Sequence, residues 1–139
     1  MSRSWPTVDQ TRDLYAGPAQ ELYDAIVKHA LSMKGQCVDE RGNCANRSAD
    51  GAEACFFGAT IAPSLIVTPD DGRPTLPRTM HVLGIDDQHQ ALVEDLQAAH
   101  DTGLSWEAVG GLSSHGRWAL ATVGEVYELT VPPDLLEPK

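Results

Sequence analysis

The chain has 139 residues, of which 20 are acidic and 10 basic, for a formal charge of −10 and a pI near 4.7. A chain of this length makes one ordinary domain that hides roughly two-thirds of its unfolded surface from water, so its folding requires neither a metal nor a disulfide. The charge argues against a nucleic-acid binder or an acidic-membrane binder, both of which need a basic face, and suits a partner with a basic surface; moderate acidity also keeps a protein soluble.

Residues 1–17 contain Trp5-Pro6 and no sustained periodicity. They are expected to form an N-terminal arm, with Trp5, Leu14 and Tyr15 tucked onto the body. From Pro18 the pattern changes: Leu22, Ile26, Ala30 and Met33 recur every three or four residues beside Ala25 and His29, while Glu21, Asp24 and Lys28 fall on the opposite side. This predicts a helix opened by Pro18 and stopped by Gly35.

All three cysteines lie between Gly35 and Ile61. Arg41-Gly42-Asn43 and Asp50-Gly51 tolerate a positive φ and reverse the chain. Between them Cys44–Arg47 is placed to pair with Gln36–Asp39, giving a small β-hairpin at about 36–47. A small-residue helix follows over Ala52–Ile61, ended by Pro63, with Cys37, Cys44, Phe56, Phe57 and Ile61 packing the hairpin against the body.

Four prolines and Asp70-Asp71-Gly72 mark residues 62–85 as a long proline-rich loop, with His81, Val82, Leu83 and Ile85 returning to the core. Asp86-Asp87 then precede a helix whose apolar stripe is Leu92, Val93, Leu96 and Ala99, ended by Gly103. Ser105 reads as the N-cap of a short helix carrying Trp106, Val109 and Leu112, with Glu107 in its first turn. A last helix over about His115–Glu128 is expected to half-bury Trp118, Ala121, Val123 and Val126, and residues 130–139 read as an extended tail. The fold class is therefore mainly α within α+β: four to five short helices around one hairpin, in a single domain.

Several constellations bear on chemistry. Cys37, Cys44 and Cys55, with His81 as fourth ligand, supply the residue types of a tetrahedral zinc site. Their spacing, however, leaves six and ten residues between successive cysteines rather than the close knuckles such sites use. The simpler reading is buried thiols acting as small hydrophobes, in a reduced cytoplasmic protein whose odd cysteine count and lack of a leader point the same way. Cys55 as a nucleophile lacks a local base, and its neighbours Phe56 and Phe57 are apolar. His100-Asp101 matches the paired ligands of metal-dependent phosphohydrolases, but Gly103 ends the helix at once. A histidine in the last turn also suits the helix dipole. No phosphate loop and no Ser-His-Asp elbow is present, so no cofactor is expected. What remains is surface: Arg41 and Arg47 on the hairpin, and acidic helix faces bearing Glu21, Asp24, Glu94 and Asp95. These are parts of a binding protein more readily than of an enzyme, with no membrane and no direct nucleic-acid contact.

Taken together, LYDAIVKHA, GNCANRSADGAEACFFG and LQAAHD resemble a family of small phage, prophage and bacterial proteins that carries a G-x-C-x-Y-R element, a glycine turn, a cysteine opening a small-residue helix, and a later LQ-x-x-HD helix with a C-terminal Y-G-L. The matching residues are Gly42, Cys44, Arg47, Gly51, Cys55, Gly58, Gln97, His100 and Asp101. Asn46 replaces the usual aromatic, Phe57 stands near a usually small position, and Glu128 takes the place of the C-terminal glycine. The resemblance implies a mobile-element setting and no mechanism. In that setting an acidic module is expected to bind and inhibit a host protein, for example a CRISPR-type defence system, by occupying its nucleic-acid-binding surface. The alternative is a metal-dependent protein with the Cys/His or His-Asp site above.

Overall fold

A computed structural model describes residues 6–33, 56, 58–61, 80–81, 83–85, 88–101, 105–107 and 111–136. The elements in order are α1 (Val8–Ala16), α2 (Ala19–Ser32), the 3-10 turn η1 (Gly58–Thr60), α3 (Gln90–Asp101), α4 (Ser114–Val126) and α5 (Pro133–Leu136). The mainly helical expectation holds. Among the described residues there is no strand, and the one extended pairing is an antiparallel bridge between Trp106 and Leu112. The hairpin at 36–47, with Cys37, Cys44, Arg41 and Arg47, lies outside the described residues, as do Cys55 and nearly all of the loop expected at 62–85.

The supposed arm is in part a helix. Thr7 and Gln10 form a reciprocal cap, with Gln10 N–H donating to Thr7 Oγ1 at 3.1 Å and Thr7 N–H to Gln10 Oε1 at 2.8 Å. The helix buries Tyr15 and Thr11 against η1: Thr11 Oγ1 donates to the Thr60 carbonyl at 3.0 Å, and the Tyr15 and Thr60 hydroxyls are 2.6 Å apart. Its last carbonyls are met from across the fold. Gln88 Nε2 donates to the Tyr15 carbonyl at 3.3 Å, and His89 Nε2, facing a group that can only accept, donates to the Gly17 carbonyl at 2.8 Å.

The stripe expected on α2 is observed: Leu22, Ile26, Ala30 and Met33 are buried, and Glu21, Asp24 and Lys28 are exposed. Tyr23 and Val27 join the buried side. Burying each of Leu22, Ile26 and Val27 stabilises by about 1.5–3 kcal/mol relative to exposure. Pro18 stands at the N-cap, and the helix ends at Ser32, three residues before Gly35. Ser32 Oγ donates to the His29 carbonyl at 2.7 Å, offering the last turn a partner other than the next backbone N–H.

Where the long loop returns, Met80 and Leu83 are buried but His81 is exposed, contrary to its expected inward path. Gly84 N–H bonds to the His81 carbonyl and Ile85 N–H to the Met80 carbonyl, both at 3.1 Å, with Gly84 at φ +73. This is the double bond that ends a helical turn through a left-handed residue. On α3, Leu92, Val93, Leu96 and Ala99 are all buried, as their spacing predicts.

The helix expected to start at Ser105 is not formed. Instead Glu107 N–H bonds to the Gly111 carbonyl at 2.9 Å and Ser113 N–H to the Ser105 carbonyl at 2.8 Å, so the chain reverses on itself. Gly110-Gly111 disfavours helix, and Gly111 sits at φ +85. The cap role passes to Ser113, whose Oγ accepts the Gly116 N–H at 3.0 Å.

The buried face of α4 consists of Gly116, Leu120, Ala121 and Gly124. Trp118 and Val126, expected to be half-buried, are 64% and 70% exposed. The tail is likewise not wholly extended: α5 carries a fully buried Leu135 and packs on α4, and Pro133 suits the first helical position because it has no N–H to satisfy.

α4 ends as the Met80 turn does, with Glu128 N–H on the Glu125 carbonyl at 3.1 Å and Leu129 N–H on the Gly124 carbonyl at 2.8 Å. The left-handed residue here is Glu128, at φ +58. A side chain in that conformation costs roughly 1–2 kcal/mol, partly offset by the greater chain entropy glycine loses on folding. Glu128→Gly is therefore expected to raise the unfolding free energy by about 1 kcal/mol in urea titration; a loss of stability would contradict the cap geometry.

Candidate interaction surface

Of the residues proposed for chemistry, His81 and His100 are among those described. His100, on the last turn of α3, is fully buried rather than presented to solvent at the helix end. Its ring meets Phe56 edge-on at 5.2 Å and Trp106 edge-on at 5.7 Å, and Phe56 and Trp106 are 6.1 Å apart. Gln97 Nε2 lies 3.1 Å from His100 Nδ1, and because an amide nitrogen can only donate, Nδ1 accepts and the ring proton sits on Nε2. Trp106 Nε1 closes the arrangement by donating to the His100 carbonyl at 2.9 Å. A histidine walled in this way belongs to the packed core rather than to an open helix end. Among the described residues no group of three or more histidine, cysteine, aspartate or glutamate side chains is placed to hold a metal ion. His81, the suggested fourth zinc ligand, is exposed, and the three cysteines lie outside the described residues. Beside the aromatic group, Ser105 is fully buried and its Oγ has no hydrogen-bond partner among the described residues.

The acidic residues are arranged differently. Glu21, Asp24, Glu94 and Asp95 are all exposed. Asp24 Oδ1 accepts from Gln20 Nε2 at 2.8 Å, and Glu94 Oε1 accepts from Gln90 Nε2 at 2.8 Å. Asp95 Oδ2 accepts a short 2.6 Å bond from the hydroxyl of Tyr127, just past the end of α4. Among the described residues none of the four is paired with a cation, whereas Arg12 forms an ion pair with Asp9 at 3.1 Å.

Two tyrosines bring three of these carboxylates toward α4. Tyr23, buried on α2, donates its hydroxyl to the Leu120 carbonyl at 2.8 Å. Burial pushes its pKa up to about 12, and the nearby charges of Asp24 and Glu125 add to the shift. Tyr127 is also pushed up to about 12, first by its hydrogen bond to Asp95, then by desolvation and by the charges of Asp95 and Glu94. Leu120 and Tyr127 are seven positions apart, about 10 Å along a helix. Asp24 and Glu125 thus lie near the Tyr23 hydroxyl and Glu94 and Asp95 near that of Tyr127, while Glu21 stands apart at the first turn of α2, beside Gly17.

Pattern reading missed Tyr23, Tyr127 and Glu125. For Tyr127 and Asp95, 32 residues apart, no local signal existed. For Tyr23, the glycine spaced eight residues after Gly116 on α4 was a usable sign, since a Cβ at Gly124 would lie 2.5 Å from the Tyr23 hydroxyl. No helix among the described residues is long and apolar enough to cross a membrane. Comparison with protein-family models, with curated proteins and with solved structures produced no match.

Because the folded state holds the phenol protons of Tyr23 and Tyr127 above the ordinary value of 10.0, their stabilising contribution is complete below pH 10 and is lost as pH rises toward about 12. Phenolate absorbance should show these groups titrating late, with thermal stability falling over the same interval; ordinary titration near pH 10 would contradict the two hydrogen bonds. Ser105→Ala removes a buried hydroxyl that no described group satisfies, and the melting temperature should rise, corresponding to about 1 kcal/mol. A fall would mean that the hydroxyl has a partner in solution.

Proposed function

We propose that this chain is a non-enzymatic interaction module that binds a protein partner through its acidic helix faces. The observation that carries the reading is that Asp24, Glu94, Asp95 and Glu125 are exposed, near Tyr23 and Tyr127, and form no ion pair among the described residues. Exposed like charges raise the local potential, speed the approach of a basic surface and disfavour acidic competitors. The packing of His100 among Phe56, Trp106 and Gln97 further favours binding over catalysis, since the histidine that looked most like a reactive group serves the core.

The likeness to phage and prophage proteins sets this reading in a mobile element, where the partner is a host protein. A nucleic-acid-binding groove is a strongly basic surface, and an acidic module that fills one inhibits by displacement. A defence protein of the CRISPR type fits that description.

The test is affinity capture from bacterial lysate with the immobilised chain, compared with a variant carrying Glu21→Lys, Asp24→Lys, Glu94→Lys and Asp95→Lys. Affinity for the captured partner should fall about tenfold or more in the variant, with a flatter dependence on salt. Equal affinity in both, or wild-type affinity that does not change across a salt titration, would sink the electrostatic reading.

A further inference from the structure

The outward face of α4 is unlike that of the other helices. Trp118 and Val126 are the large apolar side chains most exposed among the described residues. At about 100° per residue, His115, Trp118, Thr122 and Val126 fall in one stripe, opposite the buried Leu120 and Gly124. Thr122, half-buried between Trp118 and Val126, interrupts the stripe with nothing larger than a methyl and a hydroxyl. The rings of His115 and Trp118 lie together with centroids 5.8 Å apart. This stripe has an acidic border. Glu125 is exposed on the same face, Glu128 is exposed just past the helix end, and Asp134 is exposed on α5, its carbonyl accepting from Arg117 at 2.8 Å. Asp24 lies on the α2 side, close enough to act with Glu125 on the Tyr23 hydroxyl. Arg117, the cation at this border, is half-buried and turned to the α5 backbone.

We infer that this face docks an amphipathic segment of a partner protein, with apolar side chains seated on Trp118 and Val126 across the low saddle at Thr122, and with lysines or arginines set against Glu125 and Glu128. The inference rests on the partner-binding reading above and names its contact surface and the chemistry of its partner. An exposed tryptophan on a rigid helix offers a large contact area with little side-chain entropy to lose, and residues of this kind carry most of the energy in protein interfaces. The border chooses the occupant. A second copy of this chain placed face to face would bring the same acidic border and a further net charge of −10 to the contact. A segment with basic flanks meets opposite charge at the same positions.

The experiment titrates the full chain with a designed helical peptide of leucine and lysine, its leucines along one face, and with a lysine–serine peptide of equal charge. The leucine–lysine peptide should bind saturably. Trp118→Ala and Val126→Ser should each weaken it, Trp118→Ala by about tenfold or more, with unchanged circular dichroism because both side chains face solvent. The lysine–serine peptide should bind far more weakly. Equal binding by wild type and Trp118→Ala, or equal binding of the two peptides, overturns the inference. So does sedimentation of the wild type as a dimer that Trp118→Ala dissociates, which would assign the face to self-association. The two readings fail separately. If the fourfold charge reversal abolishes lysate capture while Trp118→Ala leaves peptide binding intact, this surface is wrong and the acidic module stands; the converse pair of results retains the surface and removes the acidic faces.

Discussion

One buried hydrogen bond ties α2 to α4, the helix on which α3 and α5 also pack. Tyr23 reaches from α2 with its ring fully buried, gives its hydroxyl to the Leu120 carbonyl, and fills the space a side chain at Gly124 would need. A buried hydroxyl must find a partner, and a helix carbonyl is within reach only where the facing helix is bare. Gly124 supplies that bare position. Once Leu120 and Gly124 are turned inward, Trp118 and Val126 must point out, because they lie on the other side of the same helix. The contact that closes the core therefore also selects the surface the protein presents.

Small residues at contacts recur at the other end of α4. Gly116 allows the Ser105 carbonyl to lie against the first turn, where an added Cβ would run into that oxygen. The reversal that carries Ser105 also carries Trp106, which covers His100 and bonds to its carbonyl. The packing of α3 on α4 thus runs from the aromatic group around His100 at one end to the Tyr127–Asp95 bond at the other. One interface joins the part of the chain that most resembled a reactive centre to the part with an acidic face.

This arrangement supports the binding role proposed above. His100 on α3 is occupied in packing, whereas the carboxylates are solvent-facing and lack ion-pair partners among the described residues. Their hydrogen bonds to Gln20, Gln90 and Tyr127 hold them in defined positions at the surface. A positioned charge loses less side-chain entropy on meeting a partner than a freely rotating one. The apolar stripe on α4 has exposed carboxylates of its own nearby in Glu125 and Glu128, the usual composition of an interface being an apolar centre inside a polar rim.

The sequence by itself determined the helical class, the buried stripes of α2 and α3, and the outward carboxylates, because each depends on a 3.6-residue repeat that any local window contains. It also held, in Thr7 and Gln10, a capping signature that marks α1 despite that segment's weak periodicity. The tertiary structure alone decided the face of α4, the reversal in place of a helix after Ser105, the helix in the tail and the fate of His100. On α4 the apolar residues lie on both sides, so periodicity leaves the choice open, and packing against α3 and α5, with Tyr23 seated at Gly124, resolves it. His100 was equally open in sequence. Its neighbours in space are Phe56, 44 positions away, and Trp106 across a reversal, and burial by distant residues leaves no mark in the local pattern.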